Sequence, residues 1–594
     1  MSVLPFLAIA FGGAAASLLL RRWIAISAVV GLLALIAATI AATTIHADGG
    51  LAIAGGGLTG SAFGRLFLVL VTGAATVLVA IALATGWTRN LPGALLAGLG
   101  AIGLALSLPD PTMAAIATLI GGLAGVLVTT HGDPTPRGVA VAAREVRAIA
   151  VGGALVLLAM AWISRPLGAL AQDTAVFGLA YLAVAIGMAM RFGAIPFHLW
   201  AARVAEAAPE VALPFLVAWG PAALAVVGLA WVDGSIAPVA PVTGQLPIEH
   251  LVIVAIGVAC LVLGAIAAWV QDDLEHVVGY ATVQDAGIVI LAFAVLDPQV
   301  WAPSRTWILV LLATRTAFAA WAVAVRARYG SHRSGDLRGW GRRAPLLVGA
   351  LVAIAVASIG WPGLLAFDAR ATGIKLAIDG PIQGLVLVAV FLPLLYYGRL
   401  LATGFGRPSP EVAAVADDRP RDLGAVPAST DGAGAGRAAG GAVGRAAVRA
   451  GSVLDLATVN RGPLVAGLVI VLAATALTVA GGGFGFVGVT DAAVEAAPVL
   501  ANGGETPITG PDTSASPGPD ASGGPSVTPS ATAGASPRPS PSVSRPSPIA
   551  SGASPSSSAP PATASPSPSA SPAGSPSATP SASPTPASSA SSGP

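Results

Sequence analysis

The sequence predicts an all-α polytopic membrane protein with about fourteen transmembrane helices and a disordered C-terminal tail. Of its 594 residues, 55% are hydrophobic and only 10% are charged, whereas soluble globular proteins carry about 25% charged residues. The apolar residues form runs of about 20, the length that crosses a bilayer as a helix. These runs are 2–20, 23–45, 66–87, 91–108, 112–130, 148–164, 174–192, 211–232, 251–270, 277–296, 305–325, 345–366, 381–402 and 462–485.

The arginines between these runs predict the orientation, because Lys and Arg accumulate in cytoplasmic loops. The loops after the first, third, fifth, eleventh and thirteenth runs carry arginines, and all of them fall on one side if the runs alternate. Arg21 and Arg22 follow the first run rather than precede it, so we interpret that run as a retained span and not as a signal peptide. We expect a multi-pass protein of the plasma membrane with both termini outside the cytoplasm.

The remaining composition excludes several classes of function. The 30 Lys and Arg residues are nearly balanced by 28 Asp and Glu, for a formal net charge of +2, so we expect no nucleic-acid partner. The single cysteine, Cys260, excludes a disulfide scaffold, a zinc ribbon and a cysteine-ligated iron–sulfur centre. We expect no catalytic centre, no metal and no cofactor in this chain.

Two segments outside the spans have a different composition. Residues 403–461 are rich in Gly, Ala and Arg and predict a cytoplasmic linker, with a short surface helix near 440–458. Residues 488–594 predict a disordered extracytoplasmic tail rich in Ser, Pro and Ala. Such a tail cannot bury enough apolar surface to offset the entropy of ordering it.

One segment places costly residues at the end of a span. Residues 191–200 read Arg-Phe-Gly-Ala-Ile-Pro-Phe-His-Leu-Trp. An arginine near the centre of the bilayer costs about 2.5–3.5 kcal/mol on insertion scales, and Pro196 removes a backbone donor and breaks a helix. The segment therefore predicts a broken helix whose polar groups line a cavity or a polar interior.

This segment resembles the antiporter-like membrane subunits of NADH–quinone oxidoreductase (respiratory complex I), most closely subunit N. The family pattern is Lys, four residues, Pro-Phe-His-x-Trp, and then Glu and Ala-Pro; residues 196–200, Glu206 and 208–209 fit it. Residues 271–287 and 336–370 resemble further family stretches in the same order. The resemblance covers about residues 90–402, and the same superfamily includes subunits of multisubunit cation/proton antiporters.

The positions of the breaks predict an internal repeat. Pro196 interrupts the seventh run and Pro362 lies near the end of the twelfth. Each run is the fourth of five in a block, and the blocks 91–232 and 250–402 start on opposite sides of the membrane. They predict two inverted five-helix repeats with broken helices that form the proton-translocation core. Residues 1–90 add the first three helices and residues 462–487 the last.

The resemblance implies a proton path of buried charges, and this sequence departs from it. The family lysine of span 7 becomes Arg191, that of span 12 becomes Arg370, and that of span 8 becomes Ala222. Span 5 has no glutamate, and Gly121 or Gly122 stands in its place. Arginine keeps its proton under nearly all conditions. Either the chain still conducts protons through Asp285, Asp368, Glu206, His198 and water, or it is a non-conducting or strongly altered subunit.

Seven residues are candidates for intramembrane charges or the proton path. The candidates are Arg191, His198, Glu206, Asp285, Arg315, Asp368 and Arg370. Asp285 stands where the family has a histidine in span 10. A buried Arg315 needs a partner, for which Asp285 and Asp368 are the candidates, as a structural ion pair or as part of a polar pathway. His198 and Glu206 have structural alternatives as interfacial packing and as a solvated loop residue.

We therefore expect a membrane subunit of an NADH–quinone oxidoreductase-like complex that contributes to redox-coupled proton translocation. The resemblance implies that NADH, flavin, iron–sulfur clusters and quinone belong to partner subunits. It also implies other membrane subunits of a respiratory or antiporter complex as partners, within the lipid bilayer. The alternatives are a subunit of a multisubunit cation/proton antiporter or a membrane-bound hydrogenase, and a non-conducting membrane scaffold with an external stalk.

Overall fold

A computed structural model describes most of the chain up to residue 494. The described residues are 2–46, 51–53, 56–86, 91–132, 135–163, 174–233, 246–410, 412, 461–484 and 487–494. They all belong to one unit, Met1–Ile508, and the other unit, Thr509–Pro594, lies outside them. Most of the predicted linker, with its expected helix at 440–458, and the tail beyond residue 494 also lie outside the described residues.

The helices of the first half follow one another with short connections. They are α1 (Leu4–Leu19), α2 (Ile24–Thr43), α3 (Ala62–Thr85), α4 (Leu91–Ala105), α5 (Pro111–Gly132), α6 (Pro136–Ile163), α7 (Thr174–Arg191), α8 (Leu199–Ala207) and α9 (Gly220–Trp231). A π-helical segment, Phe215–Trp219, leads directly into α9. A two-stranded antiparallel hairpin, β1 (Leu51–Ile53) with β2 (Gly56–Leu58), lies between α2 and α3.

The second half repeats the pattern of long apolar helices. They are α10 (Pro247–Val270), α11 (Leu274–Phe293), α12 (Trp301–Tyr329), α13 (Trp340–Arg343), α14 (Pro345–Ile359), α15 (Leu365–Ala377), α16 (Pro381–Ala389), α17 (Pro393–Phe405), α18 (Arg461–Ala480) and α19 (Val489–Val494). A second small hairpin, β3 (Gly483–Phe484) with β4 (Val487–Gly488), lies between α18 and α19.

The predicted fold class, an all-α polytopic membrane protein, is confirmed. Eleven helical segments of the described residues are long and apolar enough to cross a membrane, and three shorter apolar helices begin at Leu91, Ala175 and Pro345. The number of spans and the inverted relation of the two blocks stay predictions. The largest difference from the predicted runs is α6, which begins at Pro136 rather than near 148. The helix extends beyond its apolar stretch into the preceding residues, which include charged ones.

The helices at the centre of the bundle are covered by other helices on all sides. The apolar windows of Glu210–Trp231 and of α12 are entirely buried, and that of α11 is 83% buried. Outer helices such as α2 bury only a third of their window. Lipid is as apolar as leucine, so these exposed apolar faces suit a membrane environment.

The two helices that the sequence predicts to break are interrupted in the structure. α7 ends at Arg191 and α8 begins at Leu199, with Pro196 between them. α14 ends at Ile359 and α15 begins at Leu365. Gly360 ends α14 with a φ of +57°, a left-handed conformation that favours glycine.

Gly193 makes the first break possible. Its φ is +61°, and a Cβ at this position would lie 2.6 Å from the Cβ of Ala201. The indole N–H of Trp200 donates to the carbonyl of Met190 across the break at 2.8 Å, and the backbone N–H of Ile195 donates to the Sγ of Cys260 at 3.2 Å.

We expect Gly193→Ala to destabilise the protein by about 1–3 kcal/mol, because it adds both backbone strain and a clash. The measurement is the Tm of the protein purified from native membranes. Gly349→Ala on α14 is the matched control, since a Cβ there meets nothing within 4 Å. Equal Tm values for the two variants would show that an alanine at position 193 causes neither backbone strain nor a clash.

Charged loops meet at one end of the bundle, which we call the arginine-rich end. Residues 137–138, 203–210, 271–276, 326–343 and 399 contribute to it, as the alternation of spans predicts. The ion pairs are Arg137–Glu206, Arg326–Glu210, Arg326–Glu275, His332–Asp273, Arg333–Asp273 and Arg399–Asp272. The acidic turn Gln271–His276 is thus the point where arginines from later loops converge.

Candidate functional site

Arg191 lies at the last residue of α7, inside the bundle, and is 2% exposed. It lines a narrow pocket between α4, α5, α6, α7 and the π-helical segment. Glu145 of α6 lines the same pocket and is also 2% exposed. The hydroxyl of Thr129 donates to Oε2 of Glu145 at 2.8 Å. A buried cation and a buried acid therefore share one enclosed space.

Glycines of α5 make room for these two charged groups. A Cβ on Gly122 would lie 3.1 Å from Nη2 of Arg191, and a Cβ on Gly125 would lie 3.1 Å from Oε1 of Glu145. At the place where the family resemblance implies a glutamate, α5 thus has glycine, and the neighbouring helix α6 supplies a carboxylate instead. The arrangement places a carboxyl group, which can bind and release a proton, in the same pocket as a fixed cation.

Glu145 was not among the residues predicted from sequence. It lies between Arg144 and Arg147, in a stretch interpreted as an arginine-bearing loop before the sixth run. The signal that indicates it is the helical period of small and apolar residues around it, since 141, 142, 145, 148 and 149 are all buried. This period places Glu145 on the inner face of α6.

The second group of buried charges lies in the other block. Nε of Arg315 donates to Oδ2 of Asp285 at 2.6 Å, and the two side chains are 1% and 2% exposed. The same guanidinium donates to the hydroxyls of Ser358 and Tyr397. Of the two partners considered for Arg315, the structure therefore pairs it with Asp285, and Asp368 is exposed on α15.

Arg370 occupies the second helix break. It is 2% exposed, and its guanidinium donates to the backbone carbonyls of Ser358 and Ile359 at the end of α14. The last carbonyls of a helix have no intrahelical partner, and a cation stabilises them. The guanidinium carbon also lies 5.0 Å from the ring centroid of Trp307, whose N–H donates to the carbonyl of Asp285 at 3.2 Å.

The π-helical segment connects the two groups of charges. A Cβ on Gly220, the residue after this segment, would lie 3.3 Å from Nη2 of Arg191. The indole N–H of Trp219 donates to the hydroxyl of Thr316 at 3.0 Å, next to Arg315 in α12. Single π-helical turns inside α-helices are frequent at functional sites.

His198 and Glu206 lie at the arginine-rich end, apart from both groups. His198 lines a separate small pocket with His276 and Tyr280, and its ring centroid lies 6.0 Å from that of Tyr280. Glu206 accepts hydrogen bonds from Arg137 at 2.6 Å and Arg203 at 2.9 Å. Partial burial raises the pKa of the Glu206 carboxyl, but these hydrogen bonds outweigh burial and hold the pKa below its usual range.

We expect the stabilising contribution of Glu206 to be complete near neutral pH and to be lost as the pH falls through its depressed pKa. A group with a lower pKa in the folded state binds fewer protons there, so acid favours unfolding. The measurement is the Tm of wild type and Glu206→Gln from pH 7 down to about 4. The difference between them should shrink in acid; a constant difference would contradict the ion pairs. Asp379→Asn, an exposed acid beyond α15, is the control.

The sequence of this core matches a known family. Residues 137–395 match the family described as NADH:quinone oxidoreductase/Mrp antiporter, TM. We call residues 137–395 the antiporter-like domain, after the family that they match. Its bounds include both helix breaks and all the buried charges described above.

The curated relatives of the antiporter-like domain are subunits of NADH-quinone oxidoreductase. Subunit N of Halorhodospira halophila is 30% identical over 244 residues, which are 40% of this chain and 49% of that protein. Subunit N of Nitrosomonas europaea is 27% identical over 235 residues, 39% of this chain and 47% of that protein. The matched part of the chain thus spans about half the length of these relatives.

Solved structures share the fold of the antiporter-like domain. A chain of the Mrp complex from Dietzia sp. has a TM-score of 0.59 at 19% identity, covering 80% of this chain and 55% of that chain. A chain of respiratory complex I from Thermus thermophilus has a TM-score of 0.53 at 18% identity, covering 80% and 100%. A chain of the archaeal membrane-bound sulfane sulfur reductase has a TM-score of 0.61 at 16% identity, covering 84% and 98%.

Proposed function

We propose that this chain is a membrane subunit of an NADH–quinone oxidoreductase-like complex and contributes to redox-coupled proton translocation. The observation that supports it best is the pair of buried charge groups, each at a helix break of the antiporter-like domain. The relatives named above, whose matched parts are about half their length, support the kind of complex.

In this proposal the carboxyl groups, not the cations, take up and release protons. The family path uses lysines, whose amines can lose a proton in a low-dielectric site. Arg191, Arg315 and Arg370 keep their charge, so they act as fixed cations that stabilise the deprotonated form of a neighbouring carboxyl group. Glu145 and Asp285 are the groups beside them that can change protonation state.

The cofactors and the orientation belong to the same proposal. The described residues contain no group of three or more His, Cys, Asp or Glu side chains that would suit a metal ion. NADH, flavin, iron–sulfur clusters and quinone would lie in partner subunits, and this chain would convert their chemistry into proton movement. The arginine-rich end would face the cytoplasm of the plasma membrane, with both termini outside.

The test is purification of the tagged chain from native membranes, together with proton uptake by inverted vesicles. We expect redox subunits to co-purify and NADH to drive proton uptake that depends on this chain. Co-purification of antiporter subunits alone, with proton movement driven by a sodium gradient, would favour the antiporter alternative. A non-conducting scaffold predicts that Arg191→Ala and Asp285→Asn leave NADH-driven proton uptake unchanged.

A further inference from the structure

The outer face of α15 carries a stripe of polar residues. Asp368, Thr372 and Lys375 are exposed, and Asp379 continues the stripe just beyond the helix. Their spacing of four, three and four residues places them on one face of a helix. Within the described residues, the carboxylate of Asp368 makes no hydrogen bond and no ion pair.

The first part of this stripe lies at the depth of the hydrocarbon layer if the bundle spans a bilayer. α14 begins beside the arginine-rich end, where Arg328 donates to the carbonyl of Arg343. Segment 381–405 returns to the same end, because the N–H of Gly339 donates to the carbonyl of Thr403 at 2.9 Å. α15 must therefore end on the opposite side. At 1.5 Å per residue, Asp368 lies about 14 Å before that end, inside a hydrocarbon layer of about 30 Å.

Helices of this chain that face lipid look different. The exposed stripe of α2 consists of Ile26, Leu33, Ile36 and Ile40, which are 40–61% exposed and wholly apolar. A carboxylate exposed to hydrocarbon at the depth of Asp368 is costly, and such charges face a protein interior, a water-filled cavity or another charge. The outer face of α15 is therefore unsuited to direct contact with lipid.

The inner face of the same helix carries the opposite charge. Arg370 follows Asp368 by two residues, which is about 200° around the helix, and it binds the carbonyls at the end of α14. Since the guanidinium of Arg370 already binds carbonyl groups inside the bundle, the carboxylate of Asp368 needs a cation from another polypeptide. Lys375 lies two turns further along the same face, so its hydrogen-bond acceptor would come from the same polypeptide.

We propose that the face formed by Asp368, Thr372 and Lys375 binds a transmembrane helix of a partner subunit that carries a lysine or arginine at the depth of Asp368. The charge of Asp368 specifies the cation, and the small side chain of Thr372 allows close approach of the two helices. This inference rests on the proposed function in one respect, that the chain works within a membrane complex. It does not depend on whether that complex is redox-driven.

The first test is photo-crosslinking in native membranes. A photoreactive amino acid replaces Thr372 and, as the matched control, Leu33 at the middle of the apolar stripe of α2. We expect a single adduct with another membrane polypeptide from position 372 and no polypeptide adduct from position 33. Lipid adducts alone at position 372, or an adduct with a second copy or another segment of this chain, would overturn the proposal.

The second test is charge reversal. With the crosslinker at position 372, Asp368→Lys is expected to lower the yield of the adduct about tenfold or more, because it places two cations together. Reversal of the partner's cation to glutamate should restore the yield. Unchanged yield in Asp368→Lys, with the chain inserted normally, would eliminate the charge pair. An adduct with a subunit of a non-redox complex would keep this inference and refute the redox function.

Discussion

Asp285→Ala is expected to destabilise the protein by about 3–5 kcal/mol, because it leaves the charge of Arg315 buried without its carboxylate. Asp285 and Arg315 are almost completely buried, and at a contact distance of 2.6 Å each neutralises the charge of the other. The hydroxyls of Ser358 and Tyr397 solvate the guanidinium but cannot balance its charge. The measurement is the Tm of the complex purified from membranes that carry the variant.

The control is the double variant Asp285→Leu with Arg315→Met. Replacing both members of a buried ion pair with apolar residues of similar volume is often close to neutral, so most of the lost stability should return. Proton uptake by the double variant then separates the two roles of the pair. Wild-type uptake would mean a structural pair, and lost uptake with restored stability would mean that Asp285 belongs to the path. If Asp285→Ala is as stable as wild type, the pair is not buried as described.

Glu145→Gln is expected to lower NADH-driven proton uptake about 10²-fold while the complex assembles normally, because the amide keeps the shape of the side chain and cannot carry a proton. The amide can still accept the hydrogen bond from Thr129. The measurement is the quenching of a pH-sensitive dye in inverted membrane vesicles, normalised to NADH oxidation. Uptake at the wild-type rate would show that Glu145 is only a structural counter-charge.

Two further variants sharpen this result. Arg147→Gln changes an exposed residue of the same helix and is expected to leave uptake unchanged. Gly122→Glu combined with Glu145→Gln moves the carboxylate to α5, where the family resemblance implies it. A Cβ at Gly122 would lie 3.1 Å from Nη2 of Arg191, so the new side chain would stand next to the guanidinium, which must shift slightly to admit it. Partial recovery would show that the pocket requires an acid beside Arg191 from either helix.

Much of the fold was open to sequence reasoning because lipid imposes a simple rule. Apolar length determines a span, and the prolines at 196 and 362 indicate where a helix cannot continue. Arg191, Asp285, Arg315 and Arg370 are buried, whereas Asp368 is exposed. Arg191, Asp285 and Arg315 were conspicuous as charges inside apolar runs, and Arg370, which lies beyond its run, was indicated by the family resemblance. Glu145 was missed because it lies among arginines, where a charge draws no attention.

The sequence by itself determined the fold class and the helix breaks, and it predicted that arginine-bearing loops gather at one end of the bundle. Only the tertiary structure decided which charges meet. Glu145 and Arg191 come together because α6 and α7 pack against a glycine-rich face of α5, and Asp285 rather than Asp368 faces Arg315. Spacing along one helix determines which face a residue takes, but its partner depends on how other helices are rotated and packed against that face.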